Sequence, residues 1–357
     1  MNFDYRGFFH IHSAFSHDGT TDITKIIKSA QKCRVDFIVV TDHFNIKTKE
    51  EGFEGWHGNL LVIAGEEISP YHNHYLAVGI KKTILASADE NPQNYIDAVK
   101  KDSAAGLIAH PDHSGTKTFN VRSFAWKNWN VTGYDSISIW DLMTDWQEKL
   151  TSYFKAFFAF LFPAFVLSGP KKETLERWDL LNSDPERVKL ISGYGEIDNH
   201  NTNKKVFGLN FKIFPFDFAF KTVSTHILLE EPLSNDVELA KKQIVDAIKS
   251  SRLYIAQEKW NAAKGFKFYI SDAGKNAYSG DDITISQSAV ICVKLPQKAL
   301  IKILRNGEVL FSAFSDSIEE LITESGVYRA EVYRKRIFFL KPWIYSNHIR
   351  VKNTKKT

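Results

Sequence analysis

The sequence predicts an α/β sheet or barrel followed by a small antiparallel β-sandwich, and three observations carry that expectation. From Tyr5 to about Gln257, short β-branched or aliphatic runs alternate with helical patterns. Such alternation implies parallel strands joined by right-handed crossovers. His, Asp and Glu stand at the ends of successive apolar runs, where an α/β fold carries its chemistry. Beyond about Gly265 the helical patterns stop and short alternating segments take over. The chain is therefore divided into 1–264, the α/β part, and 265–357, the sandwich.

Element by element, residues 37–41, 60–64, 107–109, 136–140 and 188–192 are continuous apolar runs, the pattern of strands buried on both faces. Helical periodicity covers 22–33, 91–105, 150–162 and 172–182. In the last part, 289–294, 299–305 and 308–314 alternate, and Asn306-Gly307 between the latter two is a strong two-residue hairpin turn. Segments 327–333, 337–340 and 344–351 continue the pattern.

Composition excludes several classes. A formal net charge of +4, partly in the basic tail 352–356, is too small and too scattered for a nucleic-acid surface, so no nucleic-acid partner is expected. Cys33 and Cys292 are the only cysteines, which argues against a disulfide framework and for a reducing cytoplasm. Asp4, Arg6 and His10 leave no room for a secretory leader. The most apolar stretch, 157–167, is interrupted by Pro163 and bracketed by Lys155 and Lys171. A bilayer span needs roughly 20 apolar residues, so no transmembrane segment is expected. A buried helix over the site is the expectation there, with membrane-surface or partner docking as the alternative.

Ten of the twelve histidines precede residue 201. They fall in His10-Ile11-His12 with Asp18 nearby, in Asp42-His43, near Glu67, in His72-Asn73-His74, in Ala109-His110-Pro111 and in Asp198-Asn199-His200. His-x-His at a strand end puts both imidazoles on one side, because side chains alternate with period two. Taken singly, each motif has an ordinary explanation: a turn cap at Asp42, a core histidine at His110. Together they would bury many ionisable groups without compensation, which is expensive unless metal ions supply it. Nitrogen and carboxylate donors in such number point to more than one ion. A bridging carboxylate turns one metal into a cluster; Glu67 is the choice for that bridge and Glu66 the runner-up.

The motifs His10-Ile-His12-Ser with Ser16-His17-Asp18-Gly19, Thr41-Asp42-His43, Gly65-Glu66-Glu67-Ile68-Ser69 with His74, Ala109-His110-Pro111 and Asp198-Asn199-His200 resemble, in order and spacing, the polymerase and histidinol phosphatase (PHP) metallohydrolases. The segments 326–332 and 341–347 resemble the closing domain of a branch that includes carbaryl hydrolases. Two departures stand out: His348 where that branch commonly has proline, and Glu196-Ile197 where a Gly-Ser-like pair is usual. The resemblance implies a distorted seven-stranded βα barrel holding two or three divalent ions, Zn, Mn or Fe. It implies His10, His12, Glu67 and Asp198 on one group of metal positions, with Asp18, His43, His74, His110 and His200 completing the others. His17 is expected to orient Asp18, and His72 and His113 to lie behind the ligands, to face substrate, or to be ordinary surface residues.

A divalent pair about 3.5–4 Å apart can bind a shared water and present hydroxide as the nucleophile. No serine or cysteine nucleophile is then needed, and neither a Gly-x-Ser-x-Gly elbow, a phosphate-cradling Gly-rich loop nor a His-Glu-x-x-His motif occurs. The expectation is a multinuclear hydrolase acting on a small molecule, with Glu67, His200 and Asp18 closest to the reaction. A phosphoester would call for a cation such as Lys117 or Arg122, and a carbamate or aryl ester for a flat apolar wall from Trp126, Trp129 or Trp140. The contrasting class is a metal-stabilised scaffold whose sandwich binds partners. About nine ligands, against four for one closed zinc site, speak against it.

Overall fold

A computed structural model describes residues 3–206, 209–336 and 339–353. Thr354, Lys355 and Lys356 of the expected tail, and Ile337 and Phe338 of an expected strand, lie outside them. The elements before the C-terminal part are β1 (Phe3–Ile11), α1 (Ile23–Lys32), β2 (Phe37–Val40), α2 (Lys47–Glu50), β3 (Gly55–His57), β4 (Leu60–Ile68), β5 (Tyr75–Val78), α3 (Pro92–Lys101), β6 (Ala105–Ile108), β7 (Ser136–Asp141), α4 (Leu142–Gln147), α5 (Tyr153–Leu161), α6 (Pro163–Val166) and α7 (Lys172–Ser183). There follow β8 (Ser192–Glu196), the hairpin β9 (Asn203–Val206) and β10 (Leu209–Lys212), α8 (Phe216–Ala219), β11 (Val223–Leu229), α9 (Val237–Lys249) and β12 (Leu253–Gln257).

Local chemistry sets most of these boundaries. Asp22 caps α1 by accepting from the Thr24 amide, and the helix buries Ile23, Ile26, Ile27 and Ala30 on one face. Asn91 caps α3, Pro92 occupies its first turn, and the helix stops at Lys101 rather than running to 105, because Ser103 turns the chain (φ 61°) into β6. β8 starts four residues later than the apolar run 188–192 suggests. Its own sequence, Ser-Gly-Tyr-Gly-Glu, carries glycines because neighbours press on the backbone. A Cβ on Gly193 would sit 2.5 Å from the Trp178 ring, and one on Gly195 2.7 Å from Ile255.

β1, β2 and β4 pair in parallel, as do β6, β7 and β8. The strands are not all parallel, however. β5 runs antiparallel between β4 and β6, since the short link from Ile68 to Tyr75 cannot make a crossover. β11 is antiparallel to both β1 and β12. Nor does a ladder close a barrel between β8 and β1. Among the described residues the backbone bonds across that seam are Ile197 N to Phe9 O (3.1 Å), Asn199 N to His10 O (3.2 Å) and His12 N to Asn199 O (3.1 Å), with one bridge at Ile11–Asn199. His10 (φ 66°) and Asp198 (φ 42°) take left-handed backbone there, which interrupts regular pairing.

The C-terminal strands are β13 (Lys267–Asp272), β14 (Lys275–Tyr278), β15 (Asp282–Ile285), β16 (Ala289–Arg305), β17 (Glu308–Ile322), β18 (Gly326–Arg336), β19 (Phe339–Ser346) and β20 (Ile349–Asn353). Asn306 (φ 52°) and Gly307 (φ 86°) make the expected hairpin turn between β16 and β17. These strands surround their own apolar cluster, including Ile291, Ile301, Val332 and Trp343. They are not a detached sandwich, because β19 pairs with β12 and the described ladders join into one eighteen-stranded mixed sheet. The side chain of Asn347 adds to the join, accepting from Gly193 N (2.7 Å) and donating to Gly193 O (2.8 Å) and Leu253 O (3.0 Å).

The apolar stretch 157–167 is not a buried helix. α5 buries Ala156 and Ala159 and leaves Phe154, Phe157, Phe158 and Leu161 exposed. No described helix is long and apolar enough to cross a membrane.

One buried cluster away from the histidine motifs has a pH signature. Burial disfavours charge on His226, but Asp4 (2.6 Å) and Glu258 (3.0 Å) hold its pKa up at about 9. Because the folded value lies above the unfolded one, its stabilisation is complete below about pH 6.5 and is lost as pH rises through 9. Chelated protein should lose on the order of 3 kcal/mol of stability over that window. Denaturant melts at pH 6.5 and 9 should show a shallower slope in His226→Gln than in wild type, the remainder in chelated protein coming from groups such as His110, which is also held at about 9.

Candidate metal centre

All nine expected ligands converge. Donor atoms within 4.8 Å of one another form four overlapping groups: His12, Asp18, His43 and His200; His10, His12 and Glu67; His10, His110 and Asp198; and Glu67, His74 and His110. The fold brings them together because eight of them lie in or beside neighbouring strands, His10 and His12 at β1, His43 after β2, Glu67 in β4, His74 before β5, His110 after β6, Asp198 and His200 after β8, and Asp18 lies in the loop between β1 and α1. His10, His110 (φ 26°) and Asp198 all sit in left-handed backbone, strain that concentrates at this one spot.

Glu67 lies at the centre. Its Oε2 faces His10 Nε2 (3.1 Å), His12 Nε2 (3.3 Å) and His43 Nδ1 (3.1 Å), while Oε1 faces His74 Nδ1 (2.7 Å) and His110 Nε2 (3.6 Å). Asp198 Oδ1 stands 3.4 Å from His10 Nε2 and 3.5 Å from His12 Nε2, and Asp18 Oδ2 3.3 Å from His43 Nε2 and 3.2 Å from His200 Nε2. Glu66, one residue along the same strand, points elsewhere and accepts from Ile84 N; it belongs to none of the groups, and burial lifts its pKa to about 7. Exposure is graded. His10 and His12 are fully buried, whereas the Asp18 side chain is 39% exposed, so the cluster opens to solvent on the Asp18 and His200 side.

The donors fit cations. His10 Nε2, His12 Nε2 and His110 Nδ1 are buried with no hydrogen-bond partner, a state that native interiors avoid. Without an ion, protons must balance the carboxylates. Burial works against charge on His10, yet Asp198, Glu67 and Glu196 hold its pKa well above the usual value. Burial and then repulsion from His200 and His43 push His12 well below it. Burial opposes ionisation of Glu67, but His10, His43 and His74 drive its pKa well down. His110, despite burial, is lifted to about 9 through Glu67, Asp198 and Glu196.

Sequence reasoning missed Glu196 as a partner of the site. It is buried, takes a 2.7 Å contact from His10 Nδ1, accepts from His110 N (2.6 Å) and from Tyr194 OH (3.0 Å). A carboxylate on Nδ1 leaves the His10 Nε2 lone pair aimed at the cluster, and Ser69 Oγ does the same for His43 through Nδ1 (2.6 Å). The available signal was parity: Glu196 stands two residues before Asp198 at a strand end.

The remaining candidates separate. His17 is exposed and 3.8 Å from Asp18. His72 meets Lys127 Nζ (2.8 Å), away from the donors. His113 is buried between Gln147 Oε1 and the Phe124 amide, and burial with His110 nearby lowers its pKa to about 4. Lys117 is exposed and belongs to none of the donor groups. Arg122 stacks over Tyr71 (4.2 Å) and Phe124 (4.5 Å), and the Phe124 ring packs on His74 (5.1 Å). Trp126 and Trp140 are buried and Trp129 is covered by Arg177, so none offers an open flat wall.

No curated protein matches the chain. A solved structure of a protein from Bifidobacterium adolescentis, provisionally named a metal-dependent phosphoesterase, is 14% identical, covers 58% of this chain and 92% of its own, and superposes with a TM-score of 0.30. Residues 9–138, which carry His10, His12, Asp18, His43, Glu67, His74 and His110, match the family described as the PHP domain.

Proposed function

We propose that the chain is a multinuclear metal-dependent hydrolase, with phosphoesters as its substrate class. One observation carries this reading: the two oxygens of Glu67 face different donor groups, an arrangement that would let one carboxylate serve more than one ion. His10, His12, Asp18, His43, His74, His110, Asp198 and His200 are the other ligands, and Zn, Mn and Fe all suit such nitrogen and oxygen donors. Divalent ions held there supply Lewis acidity, acidifying water and offsetting charge that grows on a phosphoryl oxygen. Glu196 and Ser69 hold imidazoles in the tautomer that faces the cluster. Asp18 and His200, on the exposed side, are the residues a substrate meets first. β1, β2, β4, β5, β6, β7 and β8 are read as an open, distorted form of the seven-stranded barrel, and 265–357 as a brace on 1–264.

Arg122 favours phosphoesters over carbamates. Its guanidinium is held over the Tyr71 and Phe124 rings, the second of which packs on His74, and it has no acidic partner within ion-pair distance among the described residues. Inorganic phosphate should inhibit competitively. Arg122→Ala should raise KM for a phosphomonoester about tenfold while leaving kcat within about twofold, as loss of uniform binding does. Aryl-carbamate cleavage indifferent to millimolar phosphate would contradict the assignment. Elemental analysis of purified protein should give at least two equivalents of metal.

A further inference from the structure

Helix α5 faces the wrong way for a protein surface in water. It turns Ala156 and Ala159 inward and presents Phe154, Phe157, Phe158 and Leu161 outward, and Phe162 and Phe165 extend the exposed surface across Pro163 into α6. Six large apolar side chains on one contiguous stretch are well beyond the scattered exposure that ordinary surfaces show. The charge around them is mostly positive: no Asp or Glu occurs from residue 149 to 172, and Glu148, which lines the groove, is paired with Lys171. Lys155 and Lys341 line the same groove as Phe154, Phe158 and Phe165, and Lys212 and Lys259 line the groove beside Phe162. None of these four lysines has an acid within ion-pair distance among the described residues, and Lys341 spends its hydrogen bonds on the Phe165 and Leu167 carbonyls.

From this pattern we infer that α5 and α6 dock the protein onto an anionic lipid bilayer. Aromatic and aliphatic side chains lie in the interface between headgroups and acyl chains, while lysines at the rim meet anionic headgroups. The charge pattern selects this occupant over a second copy of the chain. A two-fold dimer through this face would set each lysine rim against its twin. The start of α5 and the segment before it touch the loop after β6: the Phe119 ring meets Tyr153 (5.7 Å), Thr116 Oγ1 bonds Leu150 O (3.1 Å) and His113 Nε2 meets Gln147 Oε1 (2.9 Å), in the loop whose Phe124 packs on His74. Docking does not rest on the hydrolase reading, since it is measured without turnover.

The test is co-sedimentation of the full chain with phosphatidylcholine vesicles, with and without phosphatidylglycerol. The expected result is binding to the mixed vesicles that is at least about tenfold weaker on pure phosphatidylcholine and is weakened by about 0.5 M salt. Phe154→Ser combined with Phe158→Ser should abolish binding while leaving the circular dichroism spectrum unchanged, and Lys155→Glu should weaken it. No binding to the anionic vesicles, equal binding to neutral ones, or unchanged binding by the double variant would overturn the proposal. So would light scattering that shows a dimer dissolved by the double variant, without vesicle binding.

Discussion

Glu67→Gln is expected to reduce hydrolysis by at least about a thousandfold in kcat/KM, about 4 kcal/mol of transition-state stabilisation, without unfolding the chain. The amide keeps the shape of the side chain but removes the one charge that faces His10, His12 and His43 through one oxygen and His74 and His110 through the other. Metal content should fall by at least one equivalent on elemental analysis. Folding should survive because the surrounding imidazoles can give up protons: His10 and His43 are held above their usual pKa partly by Glu67 itself. Denaturant melts in chelator should therefore agree with wild type to within about 2 kcal/mol, the range of ordinary point variants. Wild-type turnover in Glu67→Gln would remove this residue from the bridge. Glu66→Gln makes the control, since that side chain points toward Ile84 and should leave activity near wild type.

The site was more legible in the sequence than the fold around it. Metal donors must sit where strands end on a common face, so an apolar run followed by His or Asp marks position and role at once, and His10, His43, His110 and Asp198 could be read that way. Glu196 offered only its parity with Asp198, because its work is done through His10 Nδ1 and a buried carboxylate beside a strand end otherwise looks like any other. The direction of β5 was hidden because a four-residue apolar run reads the same in either sense, and only the length of the preceding link decides. β8 was displaced because its glycines, required by Trp178 and Ile255, look like loop residues. α5 inverted the expectation altogether. Apolar periodicity states which residues share a face and not whether that face meets the core.

The second large effect is expected far from the metals, at Asp179. Arg329 is almost fully buried and donates to both carboxylate oxygens of Asp179 (2.6 and 2.7 Å), with a third bond to Glu331 (2.6 Å). His348, which stands where the resembling branch commonly has proline, adds a 2.7 Å contact to Asp179 and packs on Trp178. Burial alone would raise the Asp179 pKa, but Arg329 and His348 lower it to about 2. The sign is that of a depressed carboxylate: its stabilisation is present above about pH 4 and is lost as pH falls through 2. Asp179→Asn keeps the volume but leaves a buried guanidinium without its bidentate partner, which costs about 3–5 kcal/mol. Combining Asp179→Leu and Arg329→Met with Glu331→Gln should recover much of that loss, because the buried Glu331 carboxylate, which also pairs with Arg329, is then neutral too and no lone charge is left inside. Since this bond ties α7 to β18 as the β12–β19 ladder ties the two parts of the sheet, a single cooperative denaturant transition should shift as a whole. Two transitions, of which Asp179→Asn moves only one, would instead make 1–264 and 265–357 separate folding units, and the brace role of the C-terminal strands would fall with that result.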